Sequence, residues 1–166
     1  MTETHMRDLG HLAQLVVALA VGLVIAELLW HGFTLATIER LWRNLVQRPS
    51  GPMAFRFALQ PSMAAIAAIK DGIVDARTGR SPYFLTVMRN PDERIARLRE
   101  GLEATARIIL LGIAMDVVYQ LLVLDTFYPL EALIVALLLA FVPYFILRGP
   151  VSRLARSWRG PSARRT

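Results

Sequence analysis

Three apolar runs stand out from an otherwise mixed pattern of hydrophobic and polar positions. The first covers residues 12–30 and holds only Gln14 and Glu27 as polar residues. A helix over it is roughly 28 Å long, close to the thickness of a bilayer's hydrocarbon core. A cleaved leader is the rival reading, with Arg7 ahead of the run and Ala18-Leu19-Ala20 inside it. The run continues well past Ala20, whereas leader cores are about 7–15 residues long, so a retained anchor is expected. The second run, residues 108–124, includes Asp116, Tyr119 and Gln120; the third, residues 130–147, includes Glu131 and Pro143. Only Asp125-Thr126-Phe127-Tyr128-Pro129 separates these two. So short a connection joins antiparallel neighbours, and a helical hairpin is predicted. Phe127, Tyr128 and Tyr144 are placed where aromatic residues line membrane interfaces.

Residues 35–104 are patterned as further helices. Over 35–48, Leu35, Ile38, Leu41, Trp42 and Leu45 share one face, with Glu39, Arg40, Arg43, Asn44 and Arg48 opposite. This predicts a helix lying in the interface with its arginines on the wet side. Pro49-Ser50-Gly51-Pro52 ends it. A second helix is predicted over 54–77. Phe55, Leu59, Met63, Ile66, Ile69 and Ile73 form an apolar stripe against Arg56, Gln60, Asp71 and Asp75, and Ala64, Ala65, Ala67 and Ala68 offer narrow surfaces for close helix approach. A fourth crossing is the alternative for this segment, opposed by the cost of Lys70, Asp71 and Asp75 in lipid. Asn90-Pro91-Asp92-Glu93 is a helix start, with proline first and acids at the positive end. That helix is expected to run on into the second apolar run, with Gly101 as a candidate break.

Composition sharpens the picture. The chain is 166 residues long, fits one domain, is 55% hydrophobic, and has a mean hydropathy of +0.44. There is no cysteine, which excludes disulfides and thiolate chemistry. The formal charge is +6, and all the basic residues but Lys70 are arginine. That bias fits a GC-rich bacterial genome. Residues 31–106 hold eleven basic residues and the tail 148–166 holds six, while the hairpin turn holds none. With three crossings, the positive-inside rule places the middle segment and the tail in the cytoplasm of a bacterial inner membrane and the N-terminus outside. Arg40, Arg43, Arg48, Arg148, Arg153 and Arg156 are then candidates for anionic lipid headgroups. Nucleic acid is not expected as a partner.

The stretches Arg56-Phe57-Ala58-Leu59-Gln60-Pro61-Ser62-Met63 and Asp71-Gly72-Ile73-Val74-Asp75-Ala76-Arg77-Thr78-Gly79-Arg80-Ser81-Pro82-Tyr83-Phe84, with Phe127-Tyr128-Pro129 through Arg148-Gly149-Pro150, resemble a family of small bacterial membrane proteins without an assigned activity. The resemblance covers roughly residues 54–156. It implies a bacterial membrane setting and carries over no catalytic residue.

The sharpest chemical lead is acid inside the apolar runs, since intramembrane carboxylates are costly and face a bundle interior or a watery cavity. With the N-terminus outside, Glu131 is expected one turn below the outer surface, Asp116 roughly 12 Å below it, and Glu27 roughly 22 Å below it. With Tyr119 and Gln120 on the face of Asp116, these acids outline a candidate ion path. Each also has a structural explanation: Glu131 at a helix start, Glu27 beside His31 or an arginine, and Asp116 bonded to Tyr, Gln or a distant Arg. His5, His11 and His31 form no metal-spaced pair, no phosphate loop or serine elbow is present, and no metal or cofactor is expected. Asp71 and Asp75 read more simply as a solvated face than as lipid-cleaving acids. The expectation is therefore an all-α membrane protein with three transmembrane helices, the last two a hairpin, plus amphipathic interfacial helices. It is expected to be a non-enzymatic accessory subunit or homo-oligomer that assembles with itself or another membrane subunit. A small proton or cation conductor is the competing class.

Overall fold

The computed structural model describes residues 3–32, 34–47 and 53–158, with side chains from residue 10 onward. Six helices follow in chain order: α1 (Glu3–Trp30), α2 (Leu35–Gln47), α3 (Arg56–Arg77), α4 (Tyr83–Arg89), α5 (Pro91–Tyr119) and α6 (Pro129–Trp158). There is no strand among the described residues. Three helical stretches are long and apolar enough to cross a membrane: Gly10–Trp30, Pro91–Leu124 and Pro129–Trp158.

The expected start of α5 is present, with Pro91 in its first turn and Asp92 and Glu93 beside it. Gly101 does not break this helix. A Cβ there would collide with the Tyr83 hydroxyl, so the glycine lets α4 press against α5. α5 continues into one π-turn, Gln120–Leu124, and Asp125 closes it at φ 49° in the left-handed region. The expected hairpin follows. α6 does not stop near Leu147. It runs through Pro143 and Pro150 to Trp158, so the first part of the basic tail is an extension of the third apolar helix.

Helix directions follow from cross-helix contacts. Gln120 bonds to the backbone of Tyr128, Gly112 faces Ala136, and Gly101 faces Tyr144, so α5 and α6 are antiparallel. Arg56 meets Asp116, and Asp75 meets Arg97, so α3 is antiparallel to α5. Asp71 meets Tyr144 and Asp75 meets Arg148, so α3 is parallel to α6, with which it shares the largest interface in the chain. At Gly72 a Cβ would stand 2.8 Å from Val151 Cγ1 and 3.0 Å from the Arg148 carbonyl oxygen, so only glycine permits this approach. Glu27 accepts from the Leu130 backbone, while Gly10 lies against Arg99. α1 is therefore parallel to α5.

α1 begins at the same end of the bundle where α5 begins and α6 finishes. Between α1 and α5 the chain must travel the length of the bundle again, and α3 is that return. From Arg56 to Asp75, α3 extends roughly 28 Å, as far as α1's apolar run. We call the end that carries the α5–α6 turn the hairpin end, and the other the basic end.

One correction concerns faces. In α3 the buried residues include Arg56, Gln60, Ala64, Ala68, Gly72 and Asp75, whereas Phe55, Leu59, Met63, Ile66 and Ile69 are exposed. The polar stripe points inward and the apolar stripe outward. α2 behaves alike: Arg40 and Asn44 reach into the bundle, while Leu35, Ile38 and Trp42 are exposed. Neither arginine-bearing face is simply a wet one.

Candidate polar sites inside the bundle

The hairpin end gathers most of the sequence candidates. Glu27, only 1% exposed, accepts from Arg40 Nη2 at 2.8 Å, and Arg40 Nε reaches Glu131 at 3.2 Å. Asn44 donates to both oxygens of Glu131 at 3.0 Å, and the Arg40 guanidinium stacks 4.0 Å above the Tyr128 ring. One side chain from α2 thus ties the last turn of α1 to the first turn of α6. His31 stands 3.7 Å from Glu27 and packs on Tyr128.

Deeper in, Asp116 accepts from Arg56 Nη2 at 2.5 Å and from Gln120 Nε2 at 2.6 Å. Both ion-pair members are at most 1% exposed. The Arg56 guanidinium also lies 5.2 Å from the Tyr119 ring. Gln120 links this pair to the turn by accepting from the Tyr128 amide and donating to its carbonyl. The π-turn enables this, because its extra residue re-aims the backbone beyond Gln120.

These contacts rearrange the expected depths. Glu27 and Glu131 share Arg40, so they are level with each other instead of at opposite ends. Asp116 lies between Gly112, which faces Ala136, and Gln120, which meets Tyr128. It therefore stands about one turn below the start of α6, shallower than the depth counted along its own helix. The three acids do not form a staggered ladder.

A second polar cluster occupies the basic end, and sequence reasoning placed its members elsewhere. Asp75 is fully buried and receives Arg148 in a two-point contact, Nε at 2.8 Å and Nη2 at 3.0 Å. Arg148 Nη2 also reaches Glu100 at 2.6 Å, and its Nη1 donates to the Tyr144 hydroxyl, which in turn donates to Asp71 at 2.6 Å. Arg97 adds contacts to Asp75 and Glu100 at 3.4 and 3.3 Å. All three guanidinium nitrogens of Arg148 donate in this arrangement, and such pairing is what makes a buried guanidinium tolerable. Asp71 and Asp75 are thus structural partners, not a solvated face.

The lipid-contact candidates divide accordingly. Arg148, 1% exposed, is a core residue, and Arg40 is committed to Glu27 and Glu131. Arg43 is exposed and pairs with Glu39. Arg153 is exposed, while Arg156 folds back to donate to the Arg80 carbonyl. Arg48 lies outside the described residues. Sequence spacing offered no signal for Arg97, Glu100 or Tyr83 as site members, because their partners are on other helices.

Tyr83, on α4, is fully buried and donates to the Arg97 carbonyl at 2.6 Å, with Arg148 4.5 Å above its ring. Burial pushes its hydroxyl up to about 12, against the lowering pull of Arg148. The fold thus holds the Tyr83 proton more tightly than the unfolded chain does. This stabilisation is complete below the ordinary value of 10 and disappears as pH rises from there through about 12. Melting temperatures measured across that range should fall more steeply for the wild type than for Tyr83→Phe.

Among the described residues, no group of three His, Asp or Glu side chains comes together to hold a metal ion. No protein family, curated protein or solved structure matches this chain.

Proposed function

We propose that this chain is a multi-pass membrane protein whose role is structural: a non-enzymatic bundle that works as an accessory or assembly subunit, or as a homo-oligomer, in a bacterial plasma membrane. The observation that carries this reading is that Arg40 of α2 closes both Glu27 and Glu131, and Arg56 of α3 closes Asp116. A proton relay needs carboxylates that exchange protons along a path. Carboxylates clamped by guanidinium groups pin helices together instead.

The exposed apolar stripe of α3 supports a fourth crossing. Facing water, that stripe would add to a large exposed apolar surface; facing lipid, it is in its natural solvent, and the polar stripe is sheltered within. The basic end carries Arg77, Arg80, Arg89, Arg94, Arg99 and Arg153, which the positive-inside rule assigns to the cytoplasm. Both chain termini are then cytoplasmic, and α2 lies along the outer interface. This replaces the three-crossing topology with an external N-terminus.

Conduction by the acids is the competing reading, and flux separates the two. Reconstituted into proteoliposomes with an entrapped pH dye, the wild type and Asp116→Asn should both leak no faster than protein-free liposomes. A wild-type proton flux that Asp116→Asn abolishes would establish a conductor. Mass spectrometry of what co-purifies in mild detergent should then reveal a second copy or a partner subunit.

A further inference from the structure

α1 and the hairpin part company toward the basic end. Their hairpin ends are tied through Glu27 to Arg40 and Leu130. Toward the other end, Gly10 and Ala13 of α1 face the same groove as Leu98 and Leu102 of α5. This open groove of about 630 Å³ is also lined by Val17, Leu137 and Phe141. Its walls are almost wholly apolar. The exception is its mouth, where Gln14 and Arg99 stand and the Arg99 guanidinium lies over Gly10. Arg99 is 65% exposed, Glu103 engages its Nε, and its Nη2 lies against Gly10.

We propose that this groove binds one anionic membrane phospholipid, an acyl chain filling the slot and the phosphate meeting Arg99. The proposal rests on the membrane reading above. The groove lies between α1, α5 and α6, and its apolar walls end at a cation. An acyl chain suits such walls, and the phosphate it carries answers the cation. Charge selects the headgroup. Arg99 stands at the mouth among the exposed arginines of the same end, and basic pockets between crossing helices on the cytoplasmic side recruit anionic lipid. The gap is not a packing failure that lipid merely happens to fill: Gly10 and Ala13 keep α1 slender where its neighbours carry leucines.

Native mass spectrometry of the full chain, delipidated in detergent and then supplied with phosphatidylglycerol or phosphatidylcholine, tests this. The wild type should retain one phosphatidylglycerol, with at least a tenfold preference over phosphatidylcholine. Val17→Trp and, independently, Gln14→Trp fill the slot from exposed positions and should cut retention of both lipids at least tenfold. Leu29→Trp, 78% exposed at the other end of α1, should leave retention unchanged. Arg99→Gln should keep retention but erase the preference for the anionic headgroup. Equal retention in the wild type and both slot-filling variants, at unchanged helix content, would overturn the site; so would a wild type that does not discriminate between headgroups. These failures would leave a detergent-dependent protein, whereas failure of the membrane reading would leave one that disperses as a monomer without detergent.

Discussion

Asp116→Ala is expected to cost about 3–5 kcal/mol, because it leaves the Arg56 guanidinium charged, buried and without its counter-ion. The pair joins residues 60 positions apart and both members are at most 1% exposed, so water cannot replace the lost contact. Gln120 would lose one bond as well, loosening the π-turn from Tyr128. Arg56→Met should be comparably damaging through the stranded carboxylate. The double replacement Arg56→Met with Asp116→Leu should recover most of the loss, since an apolar pair of similar volume removes both desolvation penalties. Unfolding in mild detergent measures all three. A double variant no better than the worse single one would mean that the pair is not what joins α3 to α5.

Asp75→Ala should be as severe, in the same range of about 3–5 kcal/mol, for a related reason. Asp75 meets Arg148 at two points, and it also faces Arg97. Its removal leaves two guanidinium groups, 1% and 8% exposed, crowded together. Arg148→Lys should not rescue geometry at this site, because a point charge cannot span both oxygens of Asp75 while also reaching Glu100 and Tyr144. Glu100→Gln should be milder, about 1 kcal/mol or less, since that carboxylate is 36% exposed and water can take its place. If Asp75→Ala unfolds at the same denaturant concentration as Glu100→Gln, the cluster does not hold the basic end together.

Much of the fold was legible from periodicity. The three apolar runs became the helices long enough to cross a membrane, the five-residue connection became a hairpin turn, and α3 occupies nearly the stretch its spacing predicted. Periodicity reports which residues share a face, but not what that face touches. In α3 the stripe of Arg56, Gln60 and Asp75 was separated correctly from Phe55, Leu59 and Met63, yet the assignment of wet and dry was inverted. Solvation by water was assumed for the charged face, and the partners that make burial affordable lie on α5 and α6, 60 and 73 residues away. The same blindness to distant partners made Arg148 resemble a headgroup contact. α3 does not register as an apolar run because Arg56 and Asp75, matched by partners on α5 and α6, interrupt its pattern. The third apolar run ends at residue 147, but α6 continues through Pro143 and Pro150, and packing against α3 extends along this part of it.

The chain lacks cysteine, so single introduced cysteines can be labelled without background. Glu39→Cys on α2 and Arg89→Cys at the end of α4 both fall between the first and second apolar runs, and both side chains are exposed. In sealed vesicles of known orientation, a membrane-impermeant maleimide should reach one of them from outside and the other only after the membrane is opened, because α3 carries the chain across between them. Labelling of both from the same side would contradict a four-helix crossing, whatever the orientation of the vesicle.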